Sequence, residues 1–124
     1  LHCIGTLPED DVNYSKRWGL IKSGFTRIIG KELVNNIHRT SISRLKHREG
    51  VVWQRRFWEH HIRDERDYTT HCNYIHYNPV KHGLVSAVKD WVYSTFHRYV
   101  KDGMYSEDWG CRNPVEFPED IGGE

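Results

Sequence analysis

Asp64-Glu65-Arg66-Asp67-Tyr68-Thr69-Thr70-His71-Cys72-Asn73-Tyr74-Ile75-His76-Tyr77-Asn78-Pro79 opens on a residue suited to capping a helix and closes on one that cannot continue it. Asp64 is predicted to be the N-cap, with Asp67 at the third position beyond it. Tyr68, His71, Cys72 and Ile75 recur at helical spacing and form the expected buried stripe. Pro79 is expected to end the helix. Tyr74 lies beside that stripe, and Asn78 follows four residues later, so a phenol and an amide share one edge about a turn apart. A buried structural tyrosine with an amide closing the helix end would look the same as a catalytic pair, and spacing leaves both readings open.

Outward from this segment, residues 51–62 are rich in aromatic and β-branched side chains. They alternate Trp53, Arg55, Phe57, Glu59, His61 against Gln54, Arg56, Trp58, His60, Ile62, the pattern of a long strand or a strand pair. Residues 14–31 place Trp18, Ile21, Phe25, Ile28 and Ile29 at helical spacing with Lys16, Arg27 and Lys31 opposite, which predicts an amphipathic helix with a cationic outer face. Residues 1–7 read as a strand running into the acidic turn Pro8-Glu9-Asp10-Asp11. A strand that begins at the first residue suggests a piece of something longer. Residues 32–50 are polar and basic, a connection with only patchy periodicity. Downstream, His82-Gly83 marks a turn and residues 91–100 a third, shorter helix. Residues 102–124 form an acidic tail, expected to be loosely held. The domain expected from this pattern spans 1–101, with the tail over 102–124.

A chain of 124 residues with 37% hydrophobic, 13% aromatic and 28% charged residues is long enough for one folded domain and too polar for a membrane span. Its formal net charge of +1 hides a strong asymmetry. Residues 15–63 carry twelve Lys or Arg against three acids, while 102–124 carry one against seven. A basic block of that kind suits a phosphate backbone, and equally a solvated face. The three cysteines, Cys3, Cys72 and Cys111, are odd in number and widely spaced. With no leader pattern at the start, they point to a reduced, cytoplasmic location.

Nine histidines call for a search for metal sites. No His-Glu-x-x-His or Cys-x-x-Cys is present, and most of these histidines read as polar or partly buried side chains. A histidine-based metallonuclease using His60 or His61 with Glu59 is the weakest of the enzymatic readings.

The words Trp53-Gln54-Arg55-Arg56-Phe57-Trp58-Glu59-His60 and Tyr74-Ile75-His76-Tyr77-Asn78-Pro79-Val80-Lys81-His82-Gly83-Leu84-Val85 resemble those of the REP-associated tyrosine transposases, single-tyrosine members of the HUH endonuclease superfamily. The likeness extends to His2-Cys3-Ile4-Gly5-Thr6-Leu7-Pro8-Glu9, to Arg17-Trp18 with Ile21-Lys22, and to Asp90-Trp91, Tyr93-Ser94-Thr95-Phe96-His97-Arg98. It covers residues 1–110, approximately.

The resemblance implies an α+β fold, an antiparallel sheet with helices packed on one face, HUH/ferredoxin-like, lacking its N-terminal elements. In that family a His-hydrophobic-His motif binds a divalent metal. Leu1-His2 matches its last two residues, and its first histidine would fall before Leu1. Tyr74 matches the nucleophile, and Asn78 the position of a third polar ligand. The resemblance therefore implies Mg²⁺ or Mn²⁺ at His2 and Asn78, and a single-stranded DNA endonuclease and strand transferase. Such an enzyme cuts beside palindromic hairpins through a 5′-phosphotyrosine intermediate. Arg44, Lys46, Arg48, Arg55, Arg56 and Arg63 are the expected DNA contacts, with Trp53, Phe57 or Trp58 able to stack on unpaired bases. The same words suit a catalytically inactive hairpin or single-stranded DNA-binding remnant. Missing upstream elements would leave a sheet edge exposed, and homodimerisation is one way to cover it.

Overall fold

The computed structural model describes residues 1–36, 53, 58–118 and 121, with the backbone alone over 30–36. These residues fall into two bodies, one of Leu1–Ile4 with Trp58–Glu124 and the other of Gly5–Phe57. No helix among the described residues is long and apolar enough to cross a membrane.

In the Gly5–Phe57 body, helix α1 runs Tyr14–Asn36, beyond the expected end at residue 31. Its start is fixed locally. The Asn13 side-chain oxygen accepts the Lys16 backbone N–H at 3.0 Å, and Asn13's own N–H donates to Asp11 at 2.9 Å. Arg17 closes an ion pair with Asp11 at 2.6 Å. The expected apolar side is only partly covered, because Ile21, Phe25 and Ile28 are exposed. The Phe25 ring meets Trp53 edge-on at 5.3 Å. The Trp53 indole N–H donates to Thr26 Oγ1 at 3.0 Å, and the Lys22 ammonium lies 5.6 Å from its ring centroid.

In the body of Leu1–Ile4 with Trp58–Glu124, helix α2 spans Glu65–Lys81, a 3-10 turn spans Val88–Asp90, and helix α3 spans Phe96–Lys101. The expected antiparallel sheet is not seen, since no strand occurs among the described residues. Residues 1–7 and 58–62 form neither helix nor strand. Most of the stretch 51–57 lies outside the described residues. A strand exists only through a paired neighbour, which alternation alone cannot supply. The third helix starts at Phe96, later than the predicted residue 91.

Asp64 caps α2 as expected, its side chain accepting the Asp67 N–H at 2.8 Å. Pro79 does not end the helix, which continues to Lys81. Lacking an N–H, Pro79 costs one bond to the Ile75 carbonyl, which the last turn tolerates. The stop comes instead at Gly83, whose φ is 67°. The Gly83 N–H bonds the Val80 carbonyl and the Leu84 N–H bonds the Pro79 carbonyl, both at 2.9 Å, a Schellman closure that satisfies carbonyls left open at the helix end. Helix α3 closes the same way on Gly103, φ 78°, with Gly103 N–H to Val100 and Met104 N–H to Tyr99.

The buried residues of α2 are Cys72, Tyr74, His76 and Pro79, not the predicted stripe. Of that stripe only Cys72 is buried, while Tyr68, His71 and Ile75 are half-buried. His76 replaces them at the centre. Its ring lies 5.9 Å from Phe96, 5.3 Å from Tyr99 and 5.3 Å from Tyr105, and its Nε2 is 2.9 Å from the Thr95 hydroxyl. Tyr105 Oη donates to the Asn73 side-chain oxygen at 2.6 Å. Trp109 packs at a tilt against Tyr105, their ring centroids 4.9 Å apart. Phe117 reaches Tyr74 and Tyr77 at 5.5 and 5.8 Å, and Ile121 is buried. The segment expected to be a loose tail thus supplies four packed side chains. Aromatic rings bury enough area to hold a polar chain against a helix.

Two outcomes follow from this packing. Phe96 has no exposed surface, so Phe96→Ala is expected to lower unfolding free energy by about 3 kcal/mol or more in urea titrations. Burial pushes the His76 pKa down to about 4, whereas the unfolded chain takes up that proton near its ordinary value of about 6.5. The stability that neutral His76 contributes is therefore complete above pH 6.5 and lost progressively towards pH 4. Thermal melts across that window should show the loss, and His76→Gln should flatten it.

Candidate active site on helix α2

The 3.6-residue period of α2 divides its side chains into two sets. Tyr68, Cys72, His76 and Pro79 fall on one side. Asp67, His71, Tyr74, Asn78 and Lys81 fall on the other, at spacings of four, three, four and three residues. The second set carries most of the helix's chemistry.

Tyr74 is its most enclosed member, 2% exposed, contrary to its expected place beside the buried stripe. The His2 ring meets it edge-on at 5.5 Å with an interplanar angle of 87°. Phe117 meets it at 5.5 Å and 90°. The Lys81 ammonium lies 5.0 Å from the ring centroid, where the negative face of the ring attracts a cation. The structure therefore brings together two residues far apart in the sequence, His2 and Tyr74. Asn78 is half-buried one turn beyond Tyr74, and its Nδ2 is buried with no hydrogen-bond partner among the described residues.

Closer to the start of the helix, the Asp67 carboxylate is the hub of a second group. Its Oδ2 lies 2.7 Å from His60 Nε2 and accepts the Arg63 backbone N–H at 3.0 Å and the Arg63 Nε at 3.3 Å. Its Oδ1 lies 3.1 Å from His71 Nδ1. The His60 hydrogen bond is the main reason that the Asp67 carboxyl titrates well below the usual carboxylate range. The His60 and His71 rings stack at 4.3 Å and 12°. Trp58 lies parallel to both, at 5.6 and 5.7 Å. The sequence pattern gives Asp67 only a place in the helix cap, and His60 and Glu59 only a part in the weakest of the enzymatic readings. The signal that joins the group is the four-residue spacing of Asp67 and His71, with His60 just upstream. Glu59 is exposed.

Of the basic residues expected to meet DNA, Arg63 is described, its side chain 75% exposed. Arg44, Lys46, Arg48, Arg55 and Arg56 lie outside the described residues. Trp58 is 44% exposed. Trp53 is engaged with Phe25, Thr26 and Lys22, and Phe57 lies outside the described residues. All three cysteines are free, with Cys72 buried and Cys3 and Cys111 exposed.

No family model matches the chain. A Haemophilus influenzae protein named as a candidate REP-associated tyrosine transposase is 49% identical over 121 residues, 98% of this chain and 66% of its own length. The REP-associated tyrosine transposase of Escherichia coli is 48% identical over 109 residues, 88% of this chain and 55% of its own. A solved structure of a REP-associated tyrosine transposase bound to a REP hairpin superposes with a TM-score of 0.68 at 41% identity. That match covers 96% of this chain and 59% of the solved one. The chain thus spans between about half and two thirds of the length of the relatives it matches. With nearly half of its residues identical to these relatives over most of its length, it belongs to the family of REP-associated tyrosine transposases.

Proposed function

We propose that the chain carries the nucleophile of a single-stranded DNA endonuclease and strand transferase that acts at palindromic hairpin elements, with Tyr74 attacking the DNA. The observation that supports this most directly is the contact of His2 with Tyr74, far apart in the sequence, with Asn78 one helical turn on. The relative solved with a REP hairpin supports hairpin DNA as the partner. Its backbone similarity favours the α+β arrangement, with an antiparallel sheet and helices on one face. An enzyme acting on cellular DNA fits a cytoplasmic location, and a homodimer would cover a free sheet edge.

The residues present suit a divalent cation. His2 offers an imidazole, and the unpartnered buried end of the Asn78 amide can present its oxygen after a half-turn of the side chain. Bound by His2 and Asn78, Mg²⁺ or Mn²⁺ would offset the charge that develops on the scissile phosphate. Tyr74 Oη, losing its proton, bonds to phosphorus as the bond from phosphorus to the 3′ oxygen breaks. The 3′ oxygen takes up a proton, and the 5′ phosphate stays on the tyrosine. A second strand's 3′ hydroxyl reverses the step and joins DNA. The nearly complete enclosure of Tyr74 by His2 and Phe117 requires one of them to move aside before a strand can reach Oη. Arg44, Lys46, Arg48, Arg55, Arg56 and Arg63 would hold the phosphate backbone.

That enclosure also favours a second reading, a protein that binds hairpin or single-stranded DNA without cutting it. Denaturing gels separate the two. With Mn²⁺ and labelled hairpin-flanked single-stranded DNA, a covalent protein–DNA band is expected, and Tyr74→Phe should abolish it. Asn78→Ala should slow its formation about tenfold or more while hairpin binding persists. An undiminished band from Tyr74→Phe would sink the assignment of the nucleophile, and binding with no band at all would favour the second reading. Separately, Arg63→Ala should weaken DNA binding evenly across sequences and reduce the salt slope by about 1.

A further inference from the structure

On the reading above, that the chain acts on hairpin-flanked single-stranded DNA, we propose that Trp58 and the first turns of α2 form a seat for one unpaired nucleobase of the strand.

Trp58 presents an open ring on a fixed support. Its side chain is 44% exposed, yet the indole is parallel to the His60 ring within 3° and to the His71 ring within 14°. Both imidazoles are tied in turn to Asp67. His60 Nε2 is 2.7 Å from Oδ2, and His71 Nδ1 is 3.1 Å from Oδ1 and 2.8 Å from the Asp67 backbone carbonyl. One residue of α2 thus sets the planes of two rings, and through them that of the indole. These contacts occupy the half-buried histidines and leave the exposed part of the indole unused. A ring already held in one plane can stack on a base with little further loss of side-chain freedom. Stacking of this kind accepts any base, because every base has a π face.

The surroundings of the indole suit a nucleotide. Trp58 borders a pocket of about 220 Å³ that Arg63, Arg66, Pro118 and Ile121 also line. Sites for drug-sized ligands measure about 300–1,000 Å³, so this one is on the scale of a single heterocycle. Pro118 and Ile121 add apolar surface. Arg63, its side chain 75% exposed, and Arg66, also exposed, can reach the phosphates on either side of a seated base. Two acids share the pocket, but both are engaged. Asp64 accepts the Asp67 N–H as the helix cap, and Asp67 is shared among His60, His71 and Arg63.

The pocket also lies on the side of α2 that carries Tyr74. His71, part of its lining, precedes the tyrosine by three residues, about 4.5 Å along the helix axis. A base seated here belongs to a nucleotide within a few positions of the bond that Tyr74 would attack.

Binding of hairpin-flanked single-stranded DNA to the Tyr74→Phe protein, measured by fluorescence anisotropy, tests the seat. The oligonucleotides each lack one base of the single-stranded flank. One abasic position is expected to weaken binding by about tenfold or more. Trp58→Ala should weaken binding of the intact DNA by a similar factor and show no further loss at that position. Equal abasic losses with and without Trp58, or a flank with no sensitive position, would overturn the proposal. Should Trp58→Ala fail to fold by circular dichroism, photocross-linking of 5-iodouracil placed at the sensitive position decides, with Trp58 intact. The cross-linked peptide is expected to carry Trp58, and its absence would refute the seat. The Tyr74→Phe protein makes no covalent adduct in this assay, so an indifferent Trp58 removes the seat and leaves the role of Tyr74 to the denaturing gels. A protein that binds no hairpin DNA at all would overturn both.

Discussion

A single helix with both sides covered organises the larger body. The period of α2 sets His76 and Cys72 against one set of neighbours and Tyr74 against another. Each side needs burial partners that lie far away in the chain. On the first side they are Phe96, Tyr99 and Tyr105 around His76, and on the second His2 and Phe117 around Tyr74. A helix of 17 residues has marginal stability by itself in water, so these rings decide whether it persists. They also decide its rotation, because His76 fits between three rings only if Tyr74 faces the other way.

Hydrogen-bond accounting explains why the centre of that packing is polar. His76 is buried, and one of its nitrogens is met by the Thr95 hydroxyl. Burial without a charged partner favours the neutral ring, which then behaves as a flat, nearly apolar plate. Tyr105 is handled in a related way. Its hydroxyl is bonded to Asn73, and burial pushes its pKa up to about 12, keeping the phenol protonated. The polar atoms thus select a register between α2 and the segments packed on it, while the ring surfaces supply most of the adhesion.

What could be read from the sequence was chiefly what neighbouring residues encode. The Asp64 cap, the existence of α2, the turn at Gly83 and the shared edge of Tyr74 and Asn78 all follow from interactions a few residues long. The family likeness rested on two uninterrupted words and was equally legible. The errors share one physical origin. Pro79 seemed a terminator because its local cost was visible, while the Schellman closure at Gly83 that sets the true end lies beyond it. The enclosure of Tyr74 could not be inferred, since Phe117 is 43 residues away and sits in a stretch whose composition suggested a loose tail. Asp67 looked like a capping residue because His60 approaches it from outside the helix.

The 2% exposure of Tyr74 has a bearing on the fate of any covalent product. On the proposed reading, the bond between phosphorus and tyrosine would form with one of the enclosing rings displaced, and the return of that ring against the bound strand would limit the access of bulk water. Hydrolysis would discard the energy stored in that bond and leave a nick, whereas attack by a 3′ hydroxyl would conserve it. A dry pocket biases the competition between these nucleophiles by access alone, admitting an oxygen delivered on a bound strand and excluding one that diffuses in. The packing of two rings around one phenol would in this way set the ratio of rejoined to broken DNA.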